Sequence, residues 1–141
     1  MDGLRAMIDD LGLSDRSVVT GWVPMEQVCR HINAMDIVPL LESDPQGGSI
    51  VREAMACGRV ALSVDGASGT QRRFMQGDHA VLVPPEQFLE RAADVVVALA
   101  GDPADRDRIG GNARRYAVSA MSFDTQVLTM LRAFGQPAGA A

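Results

Sequence analysis

The sequence predicts an α/β domain: a short parallel sheet of about four strands, flanked by helices on both faces. Three observations predict it. The apolar runs IVPLL, VALSV and AVLV show no alternation of apolar and polar residues, as expected of strands buried on both faces. Segments with apolar residues at helical spacing separate those runs. Glycine, proline and small polar residues punctuate the junctions, and no internal repeat or linker divides the chain.

Each element follows in order. Leu4, Met7, Ile8 and Leu11 recur at helical spacing, and Gly12 is a natural stop. Residues 17–22, SVVTGW, are β-rich and are expected to form the first strand. Pro24 suits the first position of a helix whose buried stripe is Val28, Cys29, Ile32 and Met35. Residues 37–41 form the second strand, and an acidic Pro- and Gly-rich loop leads from it into a helix over 49–56, closed at Gly58. The third strand covers 60–64. Residues 65–77 begin as a glycine-rich loop and close with one helical turn. The fourth strand, 80–83, is ended by Pro84 and Pro85. Phe88, Leu89, Ala92, Ala93, Val96 and Leu99 mark a long helix. Asp102-Pro103 starts another over 104–116, where Asp105, Arg106, Asp107 and Arg108 form a solvated charged face. Ser122 and Asp124 offer caps for a last helix through Phe134, and the tail 135–141 has nothing to pack and is expected to be mobile.

Composition narrows the function. A chain of 141 residues with 47% hydrophobic residues is large enough for one domain with a real core. Its net charge of −5 disfavours a nucleic-acid or acidic-membrane partner. No apolar run reaches membrane-spanning length, and the acidic start lacks a signal peptide's basic region, so a cytoplasmic location is the expectation. The two cysteines, Cys29 and Cys57, lie in apolar helical patterns and read as buried thiols. His31 and His79 are far apart with no ligand spacing around them, so no metal is expected. His31 reads as surface or structural, and the methionines as filling for core gaps.

The stretch 42–58, ESDPQGGSIVREAMACG, is the candidate site. It leaves the carboxyl end of a strand, where open parallel sheets bind ligands. Amides freed by Gly47 and Gly48 at a helix start suit an anion, above all a phosphate; the pair reads equally as a plain turn. Glu53 is the one acid of that helix, and a glutamate on a helix most often stands in solvent. Arg52, Arg72 and Arg73 read as surface arginines, with phosphate contact as the second reading. Trp22 reads as partly buried at a strand end.

The run VVTGWVPMEQVCRHINAMDIVPLLESDPQGGSIVREAMACGRVALSVD is followed by a Gly-rich loop, GDHAVLVPP and a helix beginning at SFD. Together these resemble the C-terminal domain of retaining, nucleotide-sugar-dependent glycosyltransferases of the glycosyl transferases group 1 family. EAMACG before a strand is the most specific piece, and the likeness runs over residues 18–134. The resemblance implies a Rossmann-like three-layer domain, one half of a GT-B fold. It implies that Glu53 binds the ribose hydroxyls of the donor nucleotide, and that Gln46, Gly47, Gly48 and Ser49 present amides to the donor's sugar and phosphates. It places Val23, with Trp22, beside the base. The donor, a UDP- or GDP-sugar, is a substrate, and neither cofactor nor metal is implied. Where the family carries its first acid this chain has Pro45; Asp44 would serve after a one-residue loop shift. The loop GASGTQRR has arginines where the family often has a further acid.

The expectation is therefore that residues 1–134 form a partial donor-binding domain. The family's phosphate-clamping Arg and Lys, the first strands and the N-terminal acceptor domain are absent from it. In the strand order 3-2-1-4-5-6 the absent strands fall between 17–22 and 37–41. Either a completing chain supplies them, or 17–22 pairs directly with 37–41. The function expected is donor binding within an enzyme that transfers a sugar to an acceptor hydroxyl with retention, this chain alone being inactive. The alternatives are a non-catalytic, degenerate scaffold or partner module, and a generic nucleotide-binding domain.

Overall fold

The structure, a computed structural model, describes residues 2–40, 49–65 and 78–135. Strands β1 (Ile37–Leu40), β2 (Val60–Val64) and β3 (Val81–Val83) form one parallel sheet in the order β1-β2-β3. Ile37 pairs with Val60, and Leu62 with Val81. All five residues of β2 are buried, which is what the lack of alternation in VALSV predicts for a central strand. Pro39 has no amide to donate and is exposed on β1, which among the described residues has a ladder partner on one side only.

Six helices are described: α1 (Asp2–Asp10), α2 (Met25–Asn33), α3 (Ser49–Ala56), α4 (Phe88–Gly101), α5 (Pro103–Ala120) and α6 (Phe123–Gly135). Short 3-10 turns cover Ser14–Arg16 and Pro85–Gln87. The larger core packs Val38 and Ala61 of the sheet against Ile32 of α2, Val51, Ala54 and Met55 of α3, and Ala113 and Ala117 of α5. A smaller core joins Val60 to Leu99 of α4 and Ile109 of α5, with Ile37, Val81 and Val95 at its margin. The sheet is thus covered by helices as the α/β reading requires.

Helix α5 joins both cores because it runs past the amino ends of all three strands. Arg106 lies 3.9 Å from Asp36, just before β1. Gly110 packs on the carbonyl of Gly58, before β2. Arg108 forms an ion pair with Asp78, before β3, and Asn112 Nδ2 donates to the Asp78 carbonyl at 3.4 Å. Asp102 caps α5 by accepting from the Asp105 amide at 3.0 Å, and Pro103 follows where its missing N–H costs nothing.

Four expectations need correction. Residues 17–22 are not a strand: no described strand pairs with them, and Val18 and Trp22 are 88% and 85% exposed. Sequence preference for β structure is not enough where no neighbouring backbone offers a ladder. The direct pairing of 17–22 with 37–41 is accordingly not formed. Helix α1 ends at Asp10, one residue short of Leu11, and Leu4, Met7 and Leu11 of the expected stripe are all exposed. In α4 the core-facing residues are Val95 and Leu99, whereas Val96 is exposed. The run VVV offers three equal choices, and only the docking angle of the helix selects one. Finally, Cys29 and Met35 are exposed rather than buried, and Pro24 precedes α2 as its cap instead of beginning it. The tail beyond residue 135 and the loop 66–77 lie outside the described residues.

Candidate functional site

The site is built on α3. The chain leaves the carboxyl end of β1 at Leu40 and enters α3 at Ser49. Val51, Ala54 and Met55 turn inward and are buried. Helical spacing then puts Ser49, Arg52, Glu53 and Ala56 on the outer face. That face forms one wall of a depression of about 470 Å³, closed on the other side by Ala117 and Val118 of α5, Met121, and Ser122 and Gln126 at the start of α6. A serine at the first helical position and an acid one turn later therefore open into the same space. The N–H groups of the first turn of α3 have no partner within the helix, and that end carries the positive end of the helix dipole.

Glu53 is half-buried, and among the described residues no hydrogen bond or ion pair occupies its carboxylate. It also borders a second depression, of about 360 Å³, between α2 and α3, with Met25, Val28, Cys29, Cys57 and Arg114. Glu53 is thus the shared wall of two openings. Arg114 donates to the Ala56 carbonyl at the end of α3 and so leaves Glu53 unpaired. The end of α3 is fixed by a paired turn. Gly58, at φ +70°, donates from its amide to Met55 O at 3.0 Å, and the Arg59 amide reaches Ala54 O at 2.9 Å. Arg59 in turn donates from Nη2 to Asn33 O at 2.8 Å, tying the ends of α2 and α3 together.

Of the residues singled out from the sequence, the structure brings Ser49 and Glu53 together. Arg52, read as a surface arginine, joins them as an exposed lining residue. Val23 is half-buried just before the cap of α2 and lines neither depression, although Met25, two residues on, faces Glu53 across the second one. Trp22 projects into solvent. Asp44, Pro45, Gln46, Gly47 and Gly48 lie outside the described residues. The lining residues missed from sequence are Met121, Ser122, Gln126 and Arg114. Ser122 was legible as a cap, and it does accept from the Thr125 amide at 3.2 Å. The return of α6 beside α3 has no local signal.

A larger depression, of about 750 Å³, lies beside His79 and Tyr116, whose rings stack at 4.6 Å. It contains none of the residues predicted from sequence and sits toward the amino ends of the strands, near Asn112. The chemistry of α3 outweighs its size. Among the described residues, no group of three or more His, Cys, Asp or Glu is placed to hold a metal, and no helix is long and apolar enough to cross a membrane.

Comparison with known proteins shows the family and the fold. The family model described as glycosyl transferases group 1 matches residues 2–116. The alpha-D-kanosaminyltransferase of Streptomyces kanamyceticus is 30% identical over 122 residues, 83% of this chain and 31% of that protein. Two solved structures share the fold. Sucrose-phosphate synthase from Thermosynechococcus elongatus superimposes with a TM-score of 0.77 at 22% identity, over 93% of this chain and 32% of its own. Anabaena HepE, solved in complex with UDP-glucose, gives 0.75 at 21% identity, over 94% of this chain and 35% of its own. The chain thus spans about a third of the length of these relatives.

Proposed function

The chain belongs to the glycosyl transferases group 1 family, and from that premise we propose that it is the donor-binding part of an enzyme that transfers a sugar from a nucleotide-sugar to an acceptor hydroxyl. The observation that carries the reading is the unpartnered Glu53 carboxylate, which shares a depression with the first residue of α3. Glu53 accepts the two ribose hydroxyls. The amides at the start of α3, with those of Gln46, Gly47, Gly48 and Ser49 and with Asp44 nearby, face the donor's phosphates and sugar. Val23 stands on the side of the base.

The donor is a UDP- or GDP-sugar. The kanosaminyltransferase acts in sugar transfer by its name, and HepE holds UDP-glucose in its crystal. Those two names support a nucleotide-sugar here. Residues 1–134 then act as a partial Rossmann-like domain, half of a GT-B arrangement. An acceptor domain or a completing chain supplies the groups that face the acceptor. Transfer with retention rests on the family alone. Loss of the leaving nucleotide is helped electrostatically, by dipoles aimed at the phosphate charge that develops in the transition state. The α3 amino end is such a dipole.

Calorimetric titration of the chain with UDP, GDP and their glucose esters tests this. One nucleotide is expected to bind saturably, and Glu53→Ala to weaken it by about 10- to 100-fold, the loss of charge-assisted bonds to two hydroxyls. The variant is a clean probe. Glu53 has no partner to lose, and alanine is the better helix former. Binding that Glu53→Ala leaves unchanged would remove Glu53 from the site. Failure of the folded chain to bind any of these ligands leaves the non-catalytic module, to which Pro45 in place of the first acid points, or a half-site awaiting its missing strands, and repeating the titration with the upstream segment added separates the two.

A further inference from the structure

The second depression beside Glu53 holds both cysteines of the chain. Their Sγ atoms are 3.4 Å apart, although 28 residues separate them in sequence, and both are free thiols. Cys29 sits on the exposed face of α2. Cys57 is half-buried in the turn that ends α3, next to Gly58. A disulfide needs the sulfurs to come within about 2.05 Å of each other, so a further approach of roughly 1.3 Å suffices. The approach falls to Cys29, an exposed side chain on α2, and leaves the hydrogen-bonded turn at Cys57 in place. We propose that Cys29 and Cys57 are a thiol–disulfide exchange site, oxidised to an internal disulfide by a low-molecular-weight disulfide such as oxidised glutathione.

The two thiols divide the chemistry. Burial, then the neighbouring Cys29, push the Cys57 thiol up to about 11, against the opposing pull of Arg114 and Arg59. Cys57 therefore keeps its proton while Cys29, the exposed sulfur, meets the oxidant. Cys29 gives its proton to solvent and its sulfur attacks one sulfur of the small disulfide; that S–S bond breaks, and one small thiolate leaves and is protonated. Cys29 is then a mixed disulfide, carries no charge, and no longer opposes ionisation of Cys57. Cys57 loses its proton to solvent and attacks Cys29 Sγ, and the second small thiolate leaves and is protonated. In sum, two cysteine thiols lose two electrons and two protons, and one small disulfide becomes two thiols. The product ties α2 to α3 across the opening that Glu53 borders.

The test uses the intact chain, equilibrated in buffers of oxidised and reduced glutathione and acid-quenched for mass spectrometry. The expected product is a monomer lighter by two hydrogens, with Cys29 and Cys57 in one cross-linked peptide, and reversed by dithiothreitol. Cys57→Ser is expected to stop at the glutathione adduct on Cys29, and circular dichroism shows whether that variant is folded. Three outcomes would overturn the proposal: wild-type chain that stops at the adduct, disulfides only between chains, or both thiols still free in the oxidising buffer. None of these readouts involves nucleotide, so the proposal and the donor-site reading fail separately.

Discussion

Gly110→Ala should destabilise the protein although it replaces glycine inside a helix. In an open position this change is favourable by about 0.8–1.0 kcal/mol, because alanine restricts the unfolded chain. At Gly110 a Cβ would stand 2.2 Å from the Gly58 carbonyl oxygen and 3.0 Å from its carbon. Side-chain carbons essentially never approach within 3.0 Å, so α5 or the turn before β2 must move by about 0.8 Å. The obstacle is backbone, and that turn is held by the two hydrogen bonds that end α3 and by Arg114 on Ala56 O. Overpacking of this kind costs typically 1–3 kcal/mol, and the immobile partner places it at the upper end. The net loss is about 2 kcal/mol, roughly 6 °C in Tm for a chain of this size. Gly111 supplies the control. The nearest atom to a Cβ there is the end of the Arg115 side chain at 3.5 Å, so Gly111→Ala should gain most of the propensity term. Thermal melts by circular dichroism compare the two variants. If Gly110→Ala melts at or above the wild type, the close passage of α5 under β2 is wrong.

Further expectations concern Arg106 and Cys57. Arg106 donates to the Leu99 carbonyl at 2.5 Å and the Ala100 carbonyl at 2.8 Å, closing the end of α4, with its side chain 19% exposed. Arg106→Ala should lower the urea midpoint by an amount equivalent to about 1–3 kcal/mol, and Arg106→Lys should recover part of it; an unchanged midpoint in Arg106→Ala would deny the capping role. The Cys57 thiol, raised to about 11 from 9.0, is protonated in the folded chain while the unfolded chain ionises. The folded state then binds more protons between pH 9 and 11, so the stability owed to Cys57 is complete below pH 9 and is lost as pH rises through 11. Thiolate absorbance should give a lower midpoint for Cys57 in Cys29→Ala, and an unshifted midpoint would show that burial alone sets it.

Local order in the sequence translated directly into structure wherever one element decides its own fate. α3 and β2 have their expected bounds because a run of helix formers ends at a glycine that can adopt φ +70°, and a buried apolar run follows. Elements whose state depends on a partner were not legible in the same way. The preference of SVVTGW for strand has no ladder to satisfy it, and Leu4, Met7 and Leu11 of the first expected stripe are exposed. The approach of Cys29 to Cys57 depends on how α2 lies on α3, which Arg59 fixes by reaching Asn33 O. Glu53 was legible as a site residue only through its resemblance to a motif. Its spacing alone says no more than that it faces away from Met55.

Helix α5 covers the amino ends of all three strands through Arg106, Gly110 and Asn112, and the proposed donor site lies toward their carboxyl ends. Three segments leave those ends, one after each strand, and the one after β1 returns at Ser49. From Ser49 to Glu53 is one helical turn, a rise of about 6 Å. A nucleoside diphosphate has the same two demands at comparable separation: an anion joined through the 5′ carbon, and a pair of hydroxyls on the far side of the ribose. The amino end of α3 suits the first and a carboxylate one turn along suits the second. A phosphate placed instead beside Glu53 would meet an unpaired negative charge. The orientation of the proposed donor along α3 therefore follows from the sign of the charges, with the phosphates toward Ser49 and the ribose toward Glu53.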